Sequence, residues 1–319
     1  MKGLFDSVLF AVSREDYKVE ASLIQNNGFK NVLTVCSGGC VPMSLAVVYP
    51  NLNITAYDIN QHQIEHLKKK QEAVAKSDFG SLNIRVKGDF NLNQLGKFDR
   101  MFQNLRQSFT VNVAKSNTIK NFFNPSIKND EREVILLSWK NHKNVDIPFN
   151  ETFSDEMIEA VFSDHATKQG EPGTYIQYFK NKIFRELSKN NSHKNPFLQH
   201  VFLGYYLSEN PFPYTELTDK ARIKFFQGNI CDISNISSFD LISLSNLFDW
   251  SDDNFVRQCI KKLNKINKGS LVLIRQLNNH RDWFSFFQND FIEDKAFDLF
   301  WQKKDRSMFY DHFRLFKKT

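Results

Sequence analysis

The chain has 319 residues, 42 basic and 36 acidic, for a net charge of +6, and 41% of its side chains are apolar. This is the make-up of a soluble globular protein, long enough for one large core with an added lobe. Its basic residues are dispersed, which argues against a nucleic-acid partner and leaves only weak attraction to an anionic membrane surface; no stretch nears the roughly 18 apolar residues of a transmembrane span.

Residues 1–12 are an apolar lead-in. In Ser13-Arg14-Glu15-Asp16 a serine is followed three residues on by an acid, which resembles a capping box. It predicts a helix to about residue 26, with Val19, Leu23 and Ile24 on one face and Gly28 as its stop. The stretch 31–60 organises the rest of the chain. Val32, Leu33, Thr34 and Val35 are apolar and β-rich and predict a buried strand. The run breaks into Ser37-Gly38-Gly39, where glycine permits a sharp turn and close approach to a ligand. Pro42 suits the first turn of a helix over 43–48. A second strand over 54–57 ends on Asp58. Strand, glycine turn, helix, strand and acid make the first half of a nucleotide-binding α/β unit, with the acid placed to hold ribose hydroxyls. The next helix turns Ile64, Leu67 and Val74 toward the sheet. His62 and His66 lack a third ligand and read as surface histidines, and Lys68-Lys69-Lys70 reads as a solvated face.

From about residue 82 to 219 the pattern is helical and irregular, with helices predicted over 98–114, 131–140, 154–162, 174–189 and 196–207. That is too much chain for a loop. It reads as an α-helical lobe inserted between strands two and three. Strands are then predicted over 222–227, ending at Gly228-Asn229; over 239–244, ending at Ser245-Asn246-Leu247-Phe248-Asp249-Trp250; and over 270–277. A helix between the last two buries Phe255, Cys259, Leu263 and Ile266. Residues 296–302 and 308–317 read as a terminal hairpin that closes the sheet edge antiparallel. The expected fold is α/β, a Rossmann-like doubly wound sheet: residues 1–81 form the first part of the core, 82–219 the helical lobe and 220–319 the second part. Ligands of such sheets bind outside the carboxyl ends of the strands, and four of those ends here are polar.

The four cysteines are Cys36, Cys40, Cys231 and Cys259. With no leader peptide evident, they predict a reduced, cytoplasmic setting, and Cys36 with Cys40 lacks the further ligands a metal site needs. The glycine turn matches neither G-x-G-x-x-G nor a P-loop, which favours an adenosine ligand without phosphates.

Five core strands with a C-terminal hairpin resemble the class I S-adenosylmethionine-dependent transferases, the methyltransferase fold. That resemblance implies that Ser37, Gly38 and Gly39 back the methionine part of S-adenosylmethionine, that Asp58 holds its ribose and that Asn229 reaches its adenine. The motifs are more specifically similar to those of the S-adenosylmethionine:diacylglycerol 3-amino-3-carboxypropyltransferases of betaine-lipid synthesis. Ser-Arg-Glu-Asp at 13–16 resembles that family's S-W-E-D, with Arg14 in place of tryptophan. Cys36-Ser37-Gly38-Gly39-Cys40 resembles its S-[AG]-G turn. The run from Asp58 through Asn60 to Gln63 resembles D-x-N-P-x-Q, with Gln61 in place of proline. Residues 244–250 resemble its strand-four motif, which carries Ser245 and Asn246, and Asp305-Arg306-Ser307-Met308-Phe309-Tyr310 resembles its D-R-S-x-x-Y. The resemblance implies transfer of the 3-amino-3-carboxypropyl group to a lipid-like hydroxyl, with release of methylthioadenosine. The cofactor's carboxylate then needs a cationic clamp, for which Arg275 and Arg306 are candidates; Asp249, Tyr310 and His312 are candidate bases. Methyl transfer and cofactor binding without catalysis stay open. So do a capping role for Asp249, a structural pair for Arg306, and a core role for Trp250 and the lobe's phenylalanines.

Overall fold

The computed structural model describes residues 5–163, 170–216, 222–287 and 290–319. Seven strands form one sheet: β1 (Asn31–Val35), β2 (Asn53–Asp58), β3 (Ile223–Gln227), β4 (Leu241–Ser243), β5 (Leu271–Gln276), β6 (Phe291–Glu293) and β7 (His312–Lys318), in the order β3-β2-β1-β4-β5-β7-β6. β1 to β5 are parallel, so their carboxyl ends share one rim. β7 runs antiparallel to β5 and β6 on either side of it. The period-two alternation of strands divides the buried residues between two faces. Leu33, Ile242, Val272 and Ile274 pack on one face, under helix α11 (Asp253–Leu263), which buries Val256, Cys259, Ile260 and Leu263. Val32, Leu241, Leu271 and Leu273 pack on the other, with α1 (Lys18–Asn27), α2 (Cys40–Val48) and α3 (Gln61–Ala75).

Among the described residues between α3 and β3 are seven α-helices: α4 (Lys97–Asn112), α5 (Ser116–Phe123), α6 (Asn129–Lys140), α7 (Asp146–Phe153), α8 (Asp155–Phe162), α9 (Tyr175–Leu187) and α10 (Pro196–Phe202). Their buried phenylalanines, Phe102, Phe109, Phe149 and Phe153 among them, belong to the same apolar core as the second face of the sheet. The lobe is thus welded to the sheet by a shared apolar core. The expected boundary near residues 219 and 220 lies outside the described residues. No helix among the described residues is long and apolar enough to cross a membrane.

The sequence expectations need five corrections. Residues 296–302 form a helix, α12 (Lys295–Lys304), and the hairpin partner of β7 is β6. Asp294 caps that helix by accepting from Phe297 N at 3.0 Å, and its buried positions, Asp298 and Trp301, are three apart, a helical spacing. The final strand starts at His312, because Met308 takes a left-handed conformation (φ 61°) that a strand cannot continue through. Ser13 caps nothing; α1 begins at Lys18, whose N–H faces Asp16. Two lobe helices of eight residues, α5 and α7, escape the periodic reading. Finally, His66 and Lys70 are buried, not solvated.

Candidate functional site

The positions of His66 and Lys70 explain how the site is built. The lead-in passes over the sheet rim without a strand partner, so its backbone groups need donors and acceptors from elsewhere. α3 supplies them from one stripe. Gln63 accepts from Leu9 N (2.6 Å) and Phe10 N (3.1 Å) and donates to Phe10 O (2.9 Å) and Ser37 O (2.6 Å). His66 Nε2 lies 2.9 Å from Ala11 O, and burial lowers its pKa to about 3, so the ring is neutral and donates there. Lys70 donates to Ala11 O (3.1 Å) and Gly38 O (2.7 Å) and approaches Cys40 Sγ (3.2 Å). Asn60 caps α3 through His62 N (3.0 Å) and donates to Ser7 O (2.9 Å).

The glycine turn accommodates this lead-in. A Cβ on Gly38 would lie 2.3 Å from Val12 C and 2.4 Å from Ser13 N, and Gly39, with φ 78°, faces Leu67. The close approach that these glycines permit is made by the protein's own chain. Gly38→Ala is therefore expected to lower stability by about 2–3 kcal/mol, as overpacking does. It should also speed hydrogen exchange at the Leu9, Phe10 and Ala11 amides; unchanged exchange in denaturant-matched samples would count against this role.

A cavity of about 230 Å³ opens at the carboxyl ends of β1, β2 and β4, lined there by Val35, Ser37, Asp58, Leu244, Ser245 and Asn246. Asp58 Oδ2 accepts from Ser37 N (3.2 Å) and Oδ1 from Asn60 N (3.0 Å). Burial nonetheless pushes its carboxyl up to about 6. Farther round, Asp249, in the turn Leu247–Trp250, accepts from Asn279 Nδ2 and Leu277 N, each at 2.8 Å. Burial raises it to about 7, which leaves it part ionised near neutrality. It does not cap α11; Asp252 does, accepting from Phe255 N. The lobe closes the cavity with Phe98, Ile158, Phe162, Tyr175 and Phe179, and the lead-in with Leu9 and Phe10. Trp250 is a wall residue, 4.7 Å from Phe162 between ring centroids.

Residues 13–16 and 305–310 meet beside this cavity. Arg306 forms a two-pronged pair with Asp16 (2.5 and 2.7 Å) across a separation of 290 residues. Glu15 lines the cavity and accepts from Tyr310 (3.2 Å) and from Ser245; Arg275 Nη1 stands 3.4 Å from it. Burial raises the Tyr310 hydroxyl well above its ordinary range, so it is a donor to Glu15 and not a base as it stands.

Of the residues expected at a site, the structure gathers Ser37, Asp58, Asn60, Gln63, Ser245, Asn246, Asp249 and Tyr310 around one cavity. Gly38 and Gly39 stand behind its wall. Four others lie elsewhere. Arg275 is wholly buried under α1, gripping Glu20 through two hydrogen bonds (2.7 and 2.9 Å). Arg306 is held by Asp16 and borders a separate shallow groove with Tyr17 and Pro213. Asn229 caps its own turn through Cys231 N (2.7 Å). His312 pairs with Asp298 at 2.9 Å. Residue-by-residue reading missed Arg14, Tyr175 and Asn279 as lining residues. For Arg14 there was a signal: four successive polar residues, 13–16, directly after an apolar run. The chain matches no family model, and no curated protein matches it.

Proposed function

We propose that the protein is an S-adenosylmethionine-dependent transferase of the class I methyltransferase fold, which moves the 3-amino-3-carboxypropyl group to a hydroxyl of a lipid-like acceptor. The observation that carries this reading is the cavity at the carboxyl ends of β1, β2 and β4, faced by Asp58, in a sheet ordered 3-2-1-4-5-7-6. The contact between residues 13–16 and 305–310 supports the narrower family reading, because two motifs distant in sequence adjoin one cavity.

The side chains fit such a ligand. Asp58 offers carboxylate oxygens to ribose hydroxyls, held in place by the Ser37 and Asn60 amides. Phe98, Phe162 and Phe179 give an apolar wall for an acceptor. Asp249, with its carboxyl near 7, accepts a proton from an attacking hydroxyl once that group is placed in line. Bound S-adenosylmethionine supplies an activated γ-carbon and methylthioadenosine as the leaving group.

Mass spectrometry of the spent cofactor, after incubation with S-adenosylmethionine and a total lipid extract, tests the proposal. Methylthioadenosine is expected, and Asp249→Asn should lower its release by roughly 10²–10⁴-fold. S-adenosylhomocysteine would instead establish methyl transfer. Tight binding with neither product would leave a cofactor-binding protein without catalysis.

A further inference from the structure

Arg14 is 4% exposed and lines the cavity. Its Nη2 is fully engaged, donating to Asp99 Oδ1 (2.9 Å) and lying 3.0 Å from His200 Nδ1. His200 is neutral, since burial lowers its pKa well below the ordinary value and its Nε2 meets Asn93 O at 2.7 Å. The guanidinium lies over the Phe102 ring, 4.3 Å from its centre. Nε and Nη1 are buried and have no hydrogen-bond partner among the described residues. Three N–H groups of a permanent cation are thus left unsatisfied, which is unfavourable unless something enters the cavity to accept them.

The charges around the cavity point the same way. Arg14 is the sole Lys, Arg or His among its described lining residues, which also include Glu15, Asp58 and Asp249. Glu15 is spoken for by Tyr310, Ser245 and Arg275. The other two candidate clamps, Arg275 and Arg306, are closed off by Glu20 and Asp16. A cavity with several acids and one cation that keeps unpaired N–H groups matches a ligand that carries positive charge and one carboxylate, and its aromatic walls match a ligand whose carboxylate sits on an apolar body.

We propose that Arg14 receives the carboxylate of the molecule bound in this cavity, through Nε and Nη1. This deepens the transferase reading and rests on it where the carboxylate is that of S-adenosylmethionine; an apolar acceptor's carboxylate would use the same nitrogens. Calorimetric titration of wild type and Arg14→Gln with three probes separates the sources: S-adenosylmethionine; methylthioadenosine, which lacks the carboxylate; and decanoate. If the cofactor's carboxylate is held, Arg14→Gln weakens S-adenosylmethionine by about 10–100-fold and leaves methylthioadenosine unchanged, as loss of a charged hydrogen bond predicts. If an acceptor's carboxylate is held, only decanoate is weakened. Equal effects on all three probes, or none, overturn the proposal. If wild type binds neither adenosine probe, the transferase reading fails, while the decanoate comparison still decides the role of Arg14. Should the glutamine variant not fold, Arg14→Lys, which keeps a cation against Asp99, is read by the same comparison.

Discussion

Arg275→Met is expected to destabilise the protein by roughly 3–5 kcal/mol, because it leaves a carboxylate buried without its partner. Glu20 and Arg275 are both 0% exposed, joined by two hydrogen bonds beneath α1, and Ser243 donates to the same carboxylate at 2.7 Å. Burial works against the guanidinium's charge, but Glu15 and Glu20 outweigh it and hold the pKa above its ordinary value. Exchanging both partners, Glu20→Leu with Arg275→Met, should recover most of the loss, since neither member is then stranded. Denaturant unfolding of the two variants measures both effects. The double variant should also bind S-adenosylmethionine as tightly as wild type. A loss of affinity there, with stability restored, would return Arg275 to the ligand site from which its ion pair now removes it.

On the proposed transferase reading, Asp58→Ala is expected to weaken S-adenosylmethionine, and equally methylthioadenosine, by at least about a hundredfold, since two charge-assisted hydrogen bonds to the ribose would be lost. The pH dependence has a definite sign. The Asp58 carboxyl is raised from 3.8 to about 6 in the folded protein. Ribose hydroxyls would be held by the ionised form, so affinity should rise as pH increases through about 6, then level off. Stability of the free protein moves the other way. A raised carboxyl binds its proton more tightly when folded, so its stabilising contribution is complete below about pH 4 and lost as pH passes about 6. Asp249, raised to about 7, extends that loss to neutrality. Titrations at several pH values, paired with unfolding curves, test both limbs; affinity independent of pH would argue that Asp58 does not face the ribose.

Much of the core was legible in the sequence. Val32 to Val35, the glycine turn and Asp58 form the strand, bend and acid that their composition implies. The side chains of α3 were harder. Ile64 and Leu67 announce a buried face by their spacing, but Gln63, His66 and Lys70 are buried for the opposite reason. They satisfy a stretch of backbone that no strand pairs, and that demand comes from a segment more than fifty residues away. No local pattern encodes it. Arg275 and Arg306 misled for a similar cause. A cation near a strand end invites an anionic ligand, but which anion reaches it first is decided by packing: here Glu20 from α1 and Asp16 from the segment before it. At 296–302 the capping Asp294 and the spacing of Asp298 and Trp301 carried the helical signal, which the apolar content of the run masked.

β7, the last strand among the described residues, does not lie at the margin of the sheet. β7 separates β5 from β6, which it alone bridges, and the segment just before it brings Arg306 to Asp16 and Tyr310 to Glu15. During synthesis, then, β5 emerges with one side of its hydrogen-bonding groups open, and β6 emerges with nothing to pair with. A nascent chain that has not yet reached residue 312 presents a bare strand edge, the kind of surface on which neighbouring chains associate. The cavity, too, lacks the Tyr310 side of its wall until that residue has been made.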